Sequence, residues 1–266
     1  MSDICYAPLI DDMTWSYSRV KSFETCPYKW YLRYIVGLRG KRMFFADYGT
    51  FMHKLLESFH KGEATPQQLV ERYLCDFKKE VGGFAPNGRI LANYFQSGLR
   101  YLRALQPMQA QVLGVEKEVR FSVGTYPFVG YIDLLCEQDG SLLVIDNKSR
   151  NLKPRSKRVR PTKTDAELNE YLRQLYIYSI AVENEYGRLP AKLCFNCFRE
   201  QTLIQEPFSE QAFTASQEWL LSNIAKIRTE SEFKPSVEFF KCTYLCEMQD
   251  HCEYFDLMRS PANKSQ

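Results

Sequence analysis

At 266 residues, with 45% hydrophobic and 14% aromatic content, the chain is long enough to bury one large core. Its net charge of +3 is too small for a global electrostatic commitment to nucleic acid or membrane, and no run approaches the ~20 apolar residues that cross a bilayer. The opening MSDICYAPLIDDMTW carries acids where a secretory signal carries bases, so a cytoplasmic protein is expected, whose nine cysteines are core residues or metal ligands rather than a disulfide framework.

An aromatic stripe of Trp30, Tyr31 and Tyr34 predicts a helix over 16–35. Apolar residues at Phe51, Met52, Leu55, Leu56 and Phe59 predict a second over 48–60, and two more are expected over 66–79 and 89–105. The pattern then changes to β-formers over 112–123, 128–136 and 141–148, separated by polar turns such as Gln138-Asp139-Gly140. Residues 151–164 break periodicity and carry Lys153, Arg155, Lys157, Arg158, Arg160 and Lys163 without an acid. Thr164 and Glu167 offer a capping box for a helix reaching about Tyr186. Strands over 192–199 and 202–206 precede a helix near 210–229, and the tail holds three close cysteines. The expected class is α/β, a mixed central β-sheet flanked by helices. One domain over 1–266 would comprise a helical N-terminal part (1–110), an α/β core (111–230) and a C-terminal tail (231–266).

The strand over 141–148 runs through Leu142, Leu143, Val144 and Ile145 into Asp146-Asn147-Lys148. Strand alternation places Asp146 and Lys148 on one face. Asp133, within Gly130-Tyr131-Ile132-Asp133-Leu134-Leu135, is a lone carboxylate among apolar neighbours on the preceding strand of a hairpin. Burying such a group without a partner is costly, and a divalent cation resolves the cost. A lysine beside it can stabilise charge developing at a phosphodiester. Taken alone, an Asp-x-Lys strand end is more often a charged terminus facing water.

The collinear set of motifs resembles the PD-(D/E)XK nuclease superfamily. Asp133 and Asp146-Asn147-Lys148 match its core, and Gln174-Leu-Tyr-Ile-Tyr178 matches the QxxxY motif of the RecB-type branch. Upstream, Gly49-Thr50-Phe51-Met52-His53 resembles that branch's Gly-Thr-x-x-His helix start. Ser16-Tyr17-Ser18-Arg19-Val20, with Cys26-Pro27-Tyr28-Lys29-Trp30-Tyr31, resembles its N-terminal segment. The resemblance implies a metal-dependent deoxyribonuclease using Mg²⁺ or Mn²⁺. Asp133, Asp146, His53 and the backbone carbonyl of Asn147 would be ligands. Lys148 would orient or activate the attacking water, supported by Gln174 and Tyr178. The resemblance would put Glu116 at the acidic position preceding these strands in relatives, with Glu118 equally placed by sequence. An exonuclease preferring single-stranded ends is implied, as is a helicase, recombinase or integrase partner. The alternative is a catalytically silent module on the same scaffold that binds DNA ends or a partner.

Cys242, Cys246 and Cys252 form C-x3-C-x5-C, and Cys26 stands at the other end of the chain. This set resembles the iron–sulfur subset of the RecB-type branch, found in AddB and in the CRISPR-associated adaptation exonucleases, whose trio usually reads C-x2-C-x5-C. The implied cofactor is a 4Fe–4S cluster, with zinc as the alternative. Cys194 and Cys197 sit three apart in a strand and so face opposite sides, as core cysteines do. The basic run from Lys153 to Lys163 is expected to contact DNA phosphates and to be mobile without DNA, unless it is simply solvated. With no Walker G-x-x-x-x-G-K-[ST], ATP-driven unwinding is not encoded here, and no helix-turn-helix or zinc finger points to sequence-specific reading.

Overall fold

The helix expected over 16–35 is two helices, α2 (Tyr17–Thr25) and α3 (Pro27–Tyr34), behind a short α1 (Ala7–Asp11). The molecule is seen as a computed structural model that describes residues 6–255; Cys5 and the end of the expected 231–266 tail lie outside the described residues. Pro27 cannot donate the bond that would continue α2, and it pushes the preceding residue out of the helical region. Cys26 is accordingly extended, at φ −162° and ψ 106°. Its N–H closes α2 on Ser22, and its Sγ accepts the Lys29 N–H at 3.5 Å to open α3.

Next, α4 (Phe44–His60) begins earlier than predicted, because Phe44 extends the buried stripe of Tyr48, Phe51, Met52, Leu55 and Leu56 back by a turn. The Gly49-to-His53 motif therefore lies inside this helix rather than at its start. Helix α5 (Pro66–Glu80) opens with a Thr65–Gln68 capping box, and α6 (Gly88–Ala104) with Asn87. Together α4, α5 and α6 enclose an aromatic core that includes Tyr48, Phe51, Tyr73, Phe77 and, from the far side, Phe198.

The sheet follows in the order β1-β2-β3-β4-β5: β1 (Gln111–Val123), β2 (Tyr126–Gln138), β3 (Ser141–Lys148), β4 (Lys192–Cys197) and β5 (Thr202–Pro207). The β3–β4 pair is parallel and the others antiparallel, so this is the expected mixed sheet flanked by helices. Asp139 (φ 50°) and Gly140 (φ 74°) make the tight turn between β2 and β3, the left-handed pair that a two-residue hairpin needs. Helix α7 (Lys163–Tyr186) crosses from β3 to β4, and α8 (Glu210–Thr229) packs on α7 and α2.

Two boundaries differ from the sequence reading. The capping box of α7 joins Thr162 to Asp165, not Thr164 to Glu167. Asp165 is the better anchor because its carboxylate also accepts the Ser156 N–H and hydroxyl, both at 2.7 Å. Strand β4 stops at Cys197 rather than 199, where Glu200 N–H turns back to the Cys197 carbonyl. Cys194 and Cys197 do face opposite sides. Cys194 packs with Cys136, Leu143 and Ile145, and Cys197 joins the large core against α7 and α8.

Candidate active site and cysteine cavity

Strand β3 alternates as expected, with Leu142 and Val144 entering the large core and Leu143 and Ile145 the smaller cluster on the opposite face. Strand β2 does not. Ile132 and Leu135 join the large core while Leu134 and Cys136 join the small one, so the alternation shifts at Asp133. The β2–β3 ladder closes at Leu134 opposite Ile145. Beyond that pair the Asn147 N–H is taken by the Asp133 carboxylate, at 2.6 Å. The parting of two strands therefore opens a gap, and Asp133 (9% exposed) and Asp146 (4% exposed) are buried in it.

Helix α4 brings His53 to the same gap. Its Nε2 lies 2.9 Å from the Asn147 carbonyl oxygen, and its Nδ1 lies 3.3 Å from Glu116 Oε1 and 3.5 Å from Asp133 Oδ2. Burial opposes charging of the ring, but the Glu116 hydrogen bond and the charges of Asp133 and Asp146 prevail and lift its pKa to about 9. Burial and the like charge of Asp146 push Asp133 up to about 7, although His53 and the Asn147 N–H pull the other way. Glu116 reaches His53 from a left-handed backbone, φ 45°, on a stretch of β1 just past a register shift between Val112 and Gly114. Glu118 instead accepts from the exposed Tyr131 hydroxyl and from Arg120. The structure thus separates two acids that the sequence left equivalent.

Lys148 shares its face with Asp146, as alternation requires, and its Nζ lies 2.7 Å from Asp146 Oδ2. Burial would favour the neutral amine, yet the Asp146 charge and hydrogen bond outweigh it, and the lysine pKa is raised. The ammonium also donates to Gln174 Oε1 at 3.4 Å and sits 5.7 Å from the centre of the Tyr171 ring. One turn on, the Gln174 amide donates to the Tyr178 hydroxyl at 3.2 Å. Gly130 makes room for that tyrosine: a Cβ there would stand 2.4 Å from Tyr178 Cε1. The sequence reading missed Asn196, whose amide donates to Asn147 Oδ1 (2.8 Å) and to the Tyr101 hydroxyl (2.7 Å). A lone asparagine in the apolar run of β4, level with Asn147, was its signal.

Whether these residues suit a cation is decided by charge and donor type. The ligand atoms of His53, Glu116 and Asp133 all lie within 4.8 Å of one another, and the Asn147 carbonyl adjoins them. Asp146, placed by sequence among the ligands, stands just outside this trio and faces Lys148. Three carboxylates converge on one ammonium and one imidazole in a partly buried gap. That anionic, mostly oxygen donor set fits a hard divalent cation.

Cys26, Cys242, Cys246 and Cys252 line one cavity of about 220 Å³ between α3 and the tail, where Cys242 lies on α9 (Phe239–Tyr244), Cys246 follows that helix and Cys252 follows a 3-10 turn at Gln249–His251. Among the described residues no three of these sulfurs fall within 4.8 Å of one another. Burial pushes the Cys246 thiol up to about 11 and raises that of Cys252. Glu247 fixes the tail to α3 through Lys29 (2.7 Å) and Arg33 (2.6 Å).

The basic run divides. Arg155 is committed to Glu206 (2.5 Å) and Asn169 (2.8 Å), and Ser156 is tied to Asp165. Lys153, Lys157, Arg158, Arg160 and Lys163 are exposed.

Three comparisons bear on this geometry. The family model of the PD-(D/E)XK nuclease superfamily matches residues 14–253. Among curated proteins, a flavohemoprotein of Bacillus cereus is 26% identical over 197 residues, and one of Bacillus anthracis 25%. Each match covers 69% of this chain and 44% of the relative, so the chain spans less than half the length of those proteins; at that identity the likeness assigns no family. Among solved structures, the crystal structure of a "Putative exonuclease" from Eubacterium rectale covers 97% of both chains with a TM-score of 0.53 and 11% identity, a likeness of fold.

Proposed function

The chain belongs to the PD-(D/E)XK nuclease superfamily, and on that premise we propose a divalent-metal-dependent deoxyribonuclease of the RecB-type branch, working as an exonuclease on single-stranded DNA ends. The observation that carries this reading is the meeting of Asp133, Asp146 and Lys148 where β2 and β3 part, with His53 and Glu116 closing the other side. No helix among the described residues is long and apolar enough to cross a membrane.

His53, Glu116, Asp133 and the Asn147 carbonyl would hold Mg²⁺ or Mn²⁺, with Asp146 positioned to join them once its hold on Lys148 loosens. Bound there, the cation would polarise the scissile phosphate and supply a nucleophilic water at neutral pH. Lys148, kept as an ammonium by Asp146, donates to the phosphate oxygens and stabilises the charge that grows on them. Gln174 holds Lys148 in place and is itself held by Tyr178, so the α7 pair positions the lysine rather than touching the reacting atoms. The imidazole in an otherwise oxygen set favours Mn²⁺ over Mg²⁺.

The four cysteines would carry a 4Fe–4S cluster. The way the four line one cavity and bring Cys26 against the tail supports this choice. Single-stranded DNA would be delivered by a helicase, recombinase or integrase, and the exposed bases from Lys153 to Lys163 would follow its phosphates. The test is Lys148→Ala. Manganese-dependent cleavage of labelled single-stranded DNA should be lost while binding remains, and full cleavage by that variant would end the proposal.

A further inference from the structure

Just past Lys148, residues Ser149, Arg150 and Asn151 run along a groove of about 630 Å³ that no step above uses. Its volume lies in the ~300–1,000 Å³ range of ligand sites. One wall is aromatic. The ring of Phe45 lies 5.3 Å from that of Tyr94 and 6.4 Å from that of Phe240, and Phe240 remains 46% exposed. Cationic groups stand beside it. Arg199 stacks 3.6 Å over Tyr94 and donates to the Ser149 carbonyl at 3.0 Å, leaving its Nε–H without a hydrogen-bond partner. Arg150 lies 5.6 Å over the Tyr171 ring that also faces Lys148, so the groove and the catalytic lysine share one aromatic side chain. Arg89, at the start of α6, is exposed on the rim.

Aromatic faces beside guanidinium groups are what unpaired nucleotides need, since bases stack on the rings and phosphates pair with the cations. We propose that this groove seats single-stranded DNA next to the active site, a base against Phe240 and phosphates on Arg89 and Arg150. It rests on the nuclease reading only for the identity of the strand. The acid paired with Arg150, Glu167 at 2.7 Å, makes a partly exposed contact that a phosphate can displace. A duplex keeps its base faces stacked on one another and offers none to the aromatic wall. Phe240 stands on α9 two residues before Cys242, so the cysteine tail supplies one wall of the substrate groove.

The experiment measures binding of a short fluorescent oligothymidylate to the full chain, with no divalent metal added so that cleavage cannot intervene. Phe240→Ala should weaken binding about tenfold, the loss of one base stack. Arg89→Ala should lower the slope of log affinity against log salt by about 0.7, one phosphate on a single strand. Because Arg89 lies on α6, outside the cysteine tail, its result does not depend on how the tail folds. Wild-type binding by both variants would overturn the groove, and so would an equal loss on blunt duplex. The catalytic reading fails separately, through undiminished cleavage by Lys148→Ala.

Discussion

The carboxylate gap and the cysteine cavity ask similar things of the chain, several groups that repel or resist charging gathered into a small volume, and they are supported differently. The gap is framed by two long strands and two helices, and it carries its own counter-charges: Lys148 against Asp146, and His53 against Glu116 and Asp133. The cavity is framed by α3 on one side and, on the other, by a tail whose elements among the described residues are short: the six-residue α9, a 3-10 turn and a helical stretch at 253–255. Its anchors are Glu247 between Lys29 and Arg33, and Phe233 stacked on Trp30 and Tyr31. The sheet can hold the first site in shape before a cation arrives. The second would depend far more on the proposed cluster, because its short elements bury little without a crosslink.

Asp133→Asn should break that symmetry most sharply. Asparagine can still accept the Asn147 N–H, so the fold survives, but cleavage should fall by at least ~10²-fold as a ligand charge is lost. Metal-free stability should move the other way. With its pKa raised to about 7, Asp133 costs the folded state stability when charged. That penalty is absent below its ordinary value near 3.8 and complete above about pH 7. Asp133→Asn should therefore melt higher than wild type at pH 8 without metal and converge with it in acid; equal melting at both would show that the gap does not strain the apo fold. Cys242→Ser tests the other region. Visible absorption should disappear, and Tm should fall on the order of 10 °C, since each kcal/mol lost moves a chain of this size by ~2–4 °C. Proteolysis should begin in the tail, while manganese-dependent cleavage of single-stranded DNA by the intact gap persists at a reduced level.

The same contrast governed what could be read from sequence. Asp146 and Lys148 were legible because alternation is a local rule, and the apolar run before them fixed which face they share. The reversal at Asp133 was not, because it arises from β2 and β3 parting, and no single segment encodes a gap. Glu116 could not be told from Glu118 for a related reason: its left-handed backbone re-aims one side chain, which strict alternation would send elsewhere. The break of the expected 16–35 helix lies at Pro27, before the aromatic stripe on which that expectation rests, so the stripe carries no information about it. Asn196 and the groove arginines come together only through pairing of distant strands and helices. Spacing in the chain carries little trace of them.

Between the two regions in expected effect lies Gly130→Ala. Its added methyl would meet the Tyr178 ring at 2.4 Å, so the tyrosine or β2 must move. Overpacking of this kind costs ~1–3 kcal/mol. The displacement passes from Tyr178 to Gln174 and on to Lys148, so cleavage should drop roughly tenfold with oligonucleotide affinity unchanged, the pattern of a misplaced positioning pair. If cleavage falls no further than the folded fraction does, the Gln174–Tyr178 pair supports α7 and has no part in aiming the lysine.

The smallest effect belongs to Asp165, which anchors the basic segment rather than either site. Hydrogen bonds from Ser156 and Thr162 hold its carboxyl well below the usual carboxylate range. An acid depressed in this way stabilises the fold above its unfolded pKa, and the contribution is lost as pH falls through the lower folded value. Asp165→Asn should thus be less stable than wild type at neutral pH, with the gap closing in strong acid. Urea melts at neutral and acidic pH would measure it. Faster hydrogen exchange in that variant should be confined to residues 151–162 and the first turn of α7, leaving the β2–β3 gap as protected as before. Exchange that spread to Asn147 would mean that the basic segment and the carboxylates are mechanically joined, a coupling their separate hydrogen-bond sets argue against.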